Sequence, residues 1–245
     1  MIRCAARTII PCGEDGRPEQ GRRIDIGDRC VLGPLRGGLR TVSYPVAKGV
    51  RSAYVSSTEG FAAVYCQRDY GHVPYPAPGY EAATVKSGGC GPTAAAMVVE
   101  TLRPDERCDP VLAASYARLG GARVSGGTDM GLLGRLTGQR FGLSVTATSA
   151  LAELRAHLKK GGVAIANVAG RGMFSTGGHY LVVLAEEDGL LTIADPGYYG
   201  GKYGVRYPRR RAAVRVAGPD HLLRCAPSVL DADCVGRSPR YYLFR

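Results

Sequence analysis

The segment from Ala94 to Leu102 constrains the fold of this chain more than any other. It reads Ala-Ala-Ala-Met-Val-Val-Glu-Thr-Leu, with no polar side chain before Glu100. Pro92 stands just ahead of it, where a first helical turn accepts a residue that lacks an N–H. A helix that is apolar nearly all round offers no face to solvent, so other elements must cover it on every side. The sequence therefore predicts a buried helix that begins near Cys90.

The periodicity of the chain changes after this helix. Amphipathic spacing and capping residues predict three more helices, and runs of β-branched and apolar residues then predict strands. The predicted helices run from Asp109 to about Gly120, from Thr128 or Asp129 to about Gln139, and from Ser149 to Lys160. The predicted strands are Val163–Val168, His179–Ala185, Leu190–Asp195, Arg211–Val216 and Arg240–Phe244. Helices first and antiparallel strands afterwards predict an α+β fold.

The first 62 residues have a different pattern. Short runs with period-two alternation, separated by Gly and Pro, predict a small β-barrel or sandwich with strands at 23–28, 30–32, 39–45 and 51–55. The Gly27-Asp28 turn before one strand and the Tyr54-Val55 pair in a later one resemble bacterial Src-homology-3 type barrels attached to cell-wall enzymes. The predicted division is a β-rich, barrel-like segment at 1–62 and a main domain at 63–245. The alternative is an N-terminal extension packed on the main domain.

The net charge of +11 is concentrated at the two ends of the chain. Residues 1–62 carry +4, residues 63–201 are neutral, and residues 202–245 carry +7. Basic ends suit adhesion to an anionic polymer such as cell wall or nucleic acid, and they equally suit a solvated basic surface. No aromatic stacking platform or recognised nucleic-acid motif is present, so a nucleic-acid partner is not predicted.

Neither a membrane span nor a cofactor is predicted. No stretch approaches the roughly 20 apolar residues that would cross a bilayer, and Met1–Arg7 lacks the apolar core of a secretory signal. Synthesis in the cytoplasm is expected, so another route of release would be needed for action on a cell wall. The eight cysteines include no Cys-x-x-Cys pair, so no structural zinc site is predicted and reduced thiols are expected.

Of the eight cysteines, only Cys90 lies in a sequence context that suggests a catalytic thiol. Gly88, Gly89 and Gly91 leave the backbone around it free of side chains, so a substrate can approach closely. The positive end of the predicted helix favours the thiolate, which is the nucleophilic form of cysteine. The alternative is a structural cysteine in a tight turn.

One of the four histidines is placed to serve as a base for this thiol. His179 opens a predicted strand, and Asp195 ends the next strand 16 residues later. An antiparallel hairpin brings these two positions together. The Asp195 carboxylate would then accept an imidazole N–H and orient the ring. Of the others, His157 is interpreted as a partly exposed helix residue and His221 as a loop residue, whereas His72, in a proline-rich loop, stays open.

Three motifs together resemble a known family. Ser87–Thr93 reads Ser-Gly-Gly-Cys-Gly-Pro-Thr, and the sequences Gly-His-Tyr-Leu-Val-Val at 178–183 and Ala-Asp-Pro at 194–196 follow. Over residues 63–200 the chain is similar to stand-alone relatives of the bacteriocin-processing (double-glycine leader) peptidases, which are papain-like cysteine peptidases. The resemblance implies a papain-like fold with Cys90, His179 and Asp195 as a triad. It also implies that Gln67 helps form the oxyanion hole, although its 23-residue distance from Cys90 is longer than in leader-cleaving members.

These patterns predict a cysteine peptidase that hydrolyses an amide bond in a peptide or in a peptidoglycan stem peptide, as an endolysin does. Leader-cleaving members are usually fused to a membrane transporter, and no such span is predicted here. Two alternatives stay open: a transferase that forms the same thioester, and an inactive binding module on the same fold.

Overall fold

The computed structural model describes residues 1–245 and has an α+β fold with two large antiparallel sheets. Its helices are α1 (Val85–Gly88), α2 (Cys90–Leu102), α3 (Pro110–Leu119), α4 (Met130–Phe141), α5 (Leu151–Lys159), α6 (Pro208–Ala213) and α7 (Pro227–Cys234). Its strands are β1 (Ile2–Ala5), β2 (Arg29–Arg36), β3 (Leu39–Val46), β4 (Gly49–Val55), β5 (Phe61–Ala62), β6 (Arg123–Val124), β7 (Gly127–Thr128), β8 (Val145–Thr148), β9 (Val163–Val168), β10 (His179–Glu187), β11 (Leu190–Ala194), β12 (Arg215–Ala217), β13 (Leu222–Cys225) and β14 (Tyr241–Phe244). A 3-10 turn covers Gln67–Tyr70. None of the helices combines the length and the apolar character that crossing a membrane requires.

Helix α2 is buried as its sequence predicts. Every residue from Gly91 to Glu100 is buried. Helices α3 and α4 and strands β9 and β10 pack around it. Glu100, the one acidic residue in this helix, forms an ion pair with Arg3 at 3.4 Å and accepts the Cys108 N–H. The apolar stretch therefore organises helices α3 and α4 and one face of the larger sheet around a shared core.

The larger sheet has seven strands in the order β12-β13-β11-β10-β9-β14-β8, and all neighbouring strands are antiparallel. Because side chains alternate between the faces of a strand, the central strands supply two cores. Ile165 and Val182 join the cluster around α2, whereas Ala164 and Leu181 join a second cluster with Leu154 of α5. The sheet is thus covered on both faces, and its strand ends remain available for a site.

Two sequence predictions at strand positions are wrong. The segment 211–216 was expected to be a strand, but Pro208 begins helix α6 and only Arg215–Ala217 forms β12. Proline at a first helical position has the right backbone angle for a helix and loses no hydrogen bond. Residues 23–28 form only one isolated bridge, at Ile24, because the chain turns at Gly27 with a φ of 92°.

The predicted β-rich segment forms a five-stranded antiparallel sheet in the order β4-β3-β2-β1-β5, with nine buried residues in its own core. Its edge strands β4 and β5 do not pair with each other. Polar contacts join this sheet to the remainder of the chain: Arg40 pairs with Asp105 at 2.6 Å, and Glu187 accepts the Thr8 N–H at 2.8 Å. The sheet therefore contacts both the segment after α2 and the end of strand β10.

Two glycines form a close backbone contact between the loop before β2 and the loop after β12. Gly27 and Gly218 have φ values of 92° and 68°, and their backbones lie directly against each other. A Cβ on Gly218 would collide with the carbonyl group of Gly27. Glycine is therefore needed at both positions, because it allows the two backbones to approach closely and because it adopts a positive φ without strain.

We expect Gly218→Ala to destabilise the protein by more than the about 1–2 kcal/mol that a positive φ costs an L-residue, because the two backbones must also separate. Gly142→Ala is the matched control, since Gly142 has a φ of 64° with open space around its Cα. Urea unfolding measures both variants. Equal losses of stability would show that the contact contributes nothing.

Candidate active site

Cys90 lies at the first residue of α2, and bare backbone surrounds it. A Cβ on Gly89 would stand 2.5 Å from the Val85 carbonyl oxygen, and a Cβ on Gly91 would stand 2.6 Å from the Thr128 side chain. These two glycines allow α1 and β7 to pack tightly against the start of α2. The thiol is consequently held at the helix N-terminus, where the N–H groups of the first turn lack helical partners.

His179 and Asp195 meet as the predicted hairpin requires. His179 is the first residue of β10, and Asp195 directly follows β11. The register pairs Val182 with Ala194, and its continuation puts Gly197 opposite His179. His179 Nε2 and Asp195 Oδ1 are 2.8 Å apart, and a Cβ on Gly197 would reach within 3.0 Å of the imidazole. With Nε2 engaged by the carboxylate, Nδ1 is the ring nitrogen left for the thiol.

The surroundings of Cys90 and His179 favour the thiolate–imidazolium pair. Burial raises the pKa of the Cys90 thiol, but contacts with His179 and the N–H groups of Tyr180 and Gly91 bring it below its ordinary value. Burial lowers the pKa of His179, yet Asp195 and Cys90 raise it to about 9. Both shifts stabilise a proton on the imidazole rather than on the sulfur. The site therefore favours the thiolate, the nucleophilic form of cysteine.

The carboxylate of Asp195 is completely buried and accepts four hydrogen bonds. Oδ1 accepts from His179 and from the Gly197 N–H at 2.8 Å, and Oδ2 accepts from Lys202 Nζ and from the Tyr203 hydroxyl, both at 2.7 Å. Burial acts to raise the pKa of Asp195, but the charges and hydrogen bonds of His179 and Lys202 hold it well below its usual range. The surroundings of Asp195 therefore favour its ionised form.

Lys202 and Tyr203 belong to the site, although the sequence patterns did not indicate them. Lys202 contributes to the positive net charge of residues 202–245, yet only 7% of its side chain is exposed. Arg210, counted in the same way, is also buried and donates to the Gly172 carbonyl oxygen. The available signal was the spacing of Lys202 and Tyr203, seven and eight residues after Asp195 and just beyond a Gly-Gly turn. A charge count alone does not separate buried from solvated residues.

Gln67 lies between the two halves of the site. Its backbone N–H donates to the Pro196 carbonyl oxygen at 2.8 Å, and its side-chain Nε2 donates to the Lys86 carbonyl oxygen at 2.9 Å. Gln67 is buried, and its Oε1 has no partner. The residue therefore joins the turn after Asp195 to helix α1, and one amide N–H remains free to donate.

The other histidines lie outside this cluster. His157 bonds to the Phe244 carbonyl oxygen at 2.8 Å, and His221 stacks on Tyr198 with 4.2 Å between the ring centroids. His72 is exposed in the loop after the 3-10 turn. Nowhere do three or more His, Cys, Asp or Glu side chains gather as metal ligands would. The chemistry available at the site is that of a thiolate, an imidazolium and the donors around them.

Comparisons with protein-family models, with curated proteins and with solved structures found no match to this chain. Its function is therefore inferred from the geometry and the chemistry of this cluster.

The structure predicts that Cys90 is the fastest-reacting thiol of the protein. Burial raises the pKa of five other thiols to about 12, namely Cys4, Cys30, Cys108, Cys225 and Cys234, and burial also raises that of Cys66. At pH 6–7 we expect iodoacetamide to label Cys90 first, as peptide mapping by mass spectrometry would show. His179→Ala should reduce this advantage strongly, because the largest contribution that lowers the thiol pKa is lost while burial still raises it. Faster labelling of another cysteine at this pH would contradict the assignment.

Lys202→Met should destabilise the protein by about 3–5 kcal/mol, the usual cost of removing one partner from a buried ion pair. Tyr203→Phe is the control, because it removes a hydrogen bond from the same Oδ2 but leaves the charges paired, at a cost of about 1–3 kcal/mol. Urea unfolding at pH 7 would measure both losses. A smaller loss for Lys202→Met than for Tyr203→Phe would show that the ion pair does not stabilise the carboxylate.

Proposed function

We propose that this chain is a papain-like cysteine peptidase that hydrolyses an amide bond with Cys90, His179 and Asp195. The observation that carries the proposal is the arrangement of His179. Its Nε2 lies 2.8 Å from the Asp195 carboxylate, and the ring faces a thiol with a lowered pKa at the start of a buried helix. The resemblance of the three motifs to bacteriocin-processing peptidases supports the same triad.

In the proposed reaction the Cys90 thiolate attacks the carbonyl carbon of the substrate. A carbon–sulfur bond forms, and the carbonyl oxygen takes the negative charge. As that oxygen re-forms its double bond, the carbon–nitrogen bond breaks and the His179 imidazolium gives its proton to the departing amine. Water then attacks the thioester carbon, and a carbon–oxygen bond forms while His179 accepts the proton of the water. The carbon–sulfur bond breaks, the product acid leaves, and the thiolate–imidazolium pair is restored.

The developing oxyanion would be stabilised by two N–H donors. The first is the backbone N–H of Cys90, which lies in the first turn of α2 and has no helical partner. The second is the free amide N–H of Gln67, whose position is fixed by its contacts with Lys86 and Pro196. One such donor typically contributes a few kcal/mol to lowering the barrier.

The substrate we propose is a peptide or the stem peptide of peptidoglycan. The bare backbone around Cys90 fits a narrow cleft that admits small residues at the cut. The resemblance of residues 1–62 to barrels of cell-wall enzymes and the basic ends of the chain favour peptidoglycan. On this proposal the enzyme acts as a lysin, with residues 1–62 contacting the anionic wall polymer.

Incubation with purified peptidoglycan and with a peptide library, followed by mass spectrometry of the products, tests this function. We expect Cys90→Ala to lower cleavage by at least about 10³-fold, because the covalent route is lost. Cys66→Ala is the matched control: it removes a half-buried thiol with a raised pKa and should leave cleavage intact.

The product masses also distinguish the alternatives. A gain of water at the cut indicates hydrolysis, whereas transfer to an added amine indicates a transferase using the same thioester. Full cleavage by Cys90→Ala, or no turnover of any substrate by the wild type despite fast labelling of Cys90, would overturn the proposal.

A further inference from the structure

Two arginines lie against the glycines that precede the candidate nucleophile and base. The guanidinium of Arg123 packs on the Tyr75 ring, with 4.4 Å to the centroid, and Arg123 Nη2 would lie 3.4 Å from a Cβ on Gly88. The guanidinium of Arg237 packs so closely on Gly178 that a Cβ there would collide with Nη2. Gly88 is two residues before Cys90, and Gly178 directly precedes His179.

Carbonyl oxygens anchor both side chains. Arg123 Nε donates to the Tyr75 carbonyl oxygen at 3.0 Å, and its Nη1 donates to that of Gly127 at 2.7 Å. Arg237 Nε donates to the Val168 carbonyl oxygen at 3.3 Å. These bonds leave Nη2 of each guanidinium as a free donor next to the site. The positive charges are therefore fixed in place rather than carried on mobile side chains.

Neither arginine has a carboxylate partner. Some arginines that are shielded from solvent do have one, such as Arg40 with Asp105, whereas others, such as Arg103, contact only carbonyl oxygens as these two do. Asp129 lies near Tyr180, but its side chain caps α4 by accepting the Leu132 N–H, and it forms no ion pair. The free Nη2 group of each guanidinium can still donate charge-assisted hydrogen bonds to a carboxylate.

We infer that Arg123 and Arg237 form a carboxylate-binding rim at the cleft, so that the substrate carries a carboxylate close to the bond attacked by Cys90. This inference rests on the proposed function and narrows its substrate class to acidic peptides. Peptidoglycan stem peptides, which have free carboxylates beside their amide bonds, belong to that class, whereas a neutral peptide rich in small residues does not. Each arginine acts as a specificity determinant, because it binds the substrate and takes no part in proton transfer.

The rates at which iodoacetate and iodoacetamide alkylate Cys90 test this inference without knowledge of the natural substrate. Both reagents lose iodide to the same thiolate, but only iodoacetate brings a carboxylate. We expect Arg123→Gln and Arg237→Gln each to lower the iodoacetate-to-iodoacetamide rate ratio about three- to tenfold, as loss of one nearby partly solvated charge would. His179 also affects this rate ratio, but it is present in the wild type and in every variant, so its effect cancels when their ratios are compared.

Arg51→Gln is the matched control, because it removes the same charge from the exposed edge strand β4 and should leave the ratio unchanged. Arg123→Lys retains the charge near Tyr75 and should keep most of the ratio, which separates loss of charge from disturbed packing. Added salt should reduce the wild-type ratio by screening. Equal iodoacetate-to-iodoacetamide ratios in the wild type, Arg123→Gln and Arg237→Gln would overturn the inference of a carboxylate-binding rim. Slow labelling of Cys90 by iodoacetamide would instead count against the proposed function.

Discussion

The burial of helix α2 is the constraint on which the remaining structure depends. Because this helix has almost no polar side chains, helices α3 and α4 and one face of the seven-stranded sheet must cover it. That packing brings the helix N-terminus, and with it Cys90, to the sheet end where β10 begins and β11 finishes. The same apolar core that stabilises the fold therefore positions the thiol beside His179.

Charge balance is the second organising feature of the site. When the proton lies on His179 rather than on Cys90, the cluster combines a thiolate, an imidazolium, the Asp195 carboxylate and the Lys202 ammonium, and its net charge is zero. Burying unpaired charges is expensive, whereas paired and fully hydrogen-bonded charges are tolerated. Moving the proton between sulfur and imidazole leaves the Asp195–Lys202 pair intact and the net charge unchanged. Lys202 thus allows a carboxylate with no solvent access to serve as the partner of the histidine.

The helices could be predicted from the sequence more accurately than the short strands. Helix positions followed from caps that act locally: Asp109 accepts the Leu112 N–H and Asp129 accepts the Leu132 N–H, each at a predicted helix start. The segment 211–216 was misread because its alternating residues suit a strand, whereas Pro208 upstream begins a helix. Short segments with few local signals adopt the structure that their neighbours impose.

For the site, the sequence was sufficient to place Cys90 at a helix start and His179 and Asp195 on one hairpin, because these relations depend on local chemistry and on strand pairing. It did not indicate which charged residues are buried. Lys202, Arg123 and Arg237 look like ordinary solvated bases in a sequence, and their roles arise from folding that sets them against a carboxylate or against glycine backbone. Burial and charge pairing depend on contacts between distant segments, so they become visible only once the chain is folded in three dimensions.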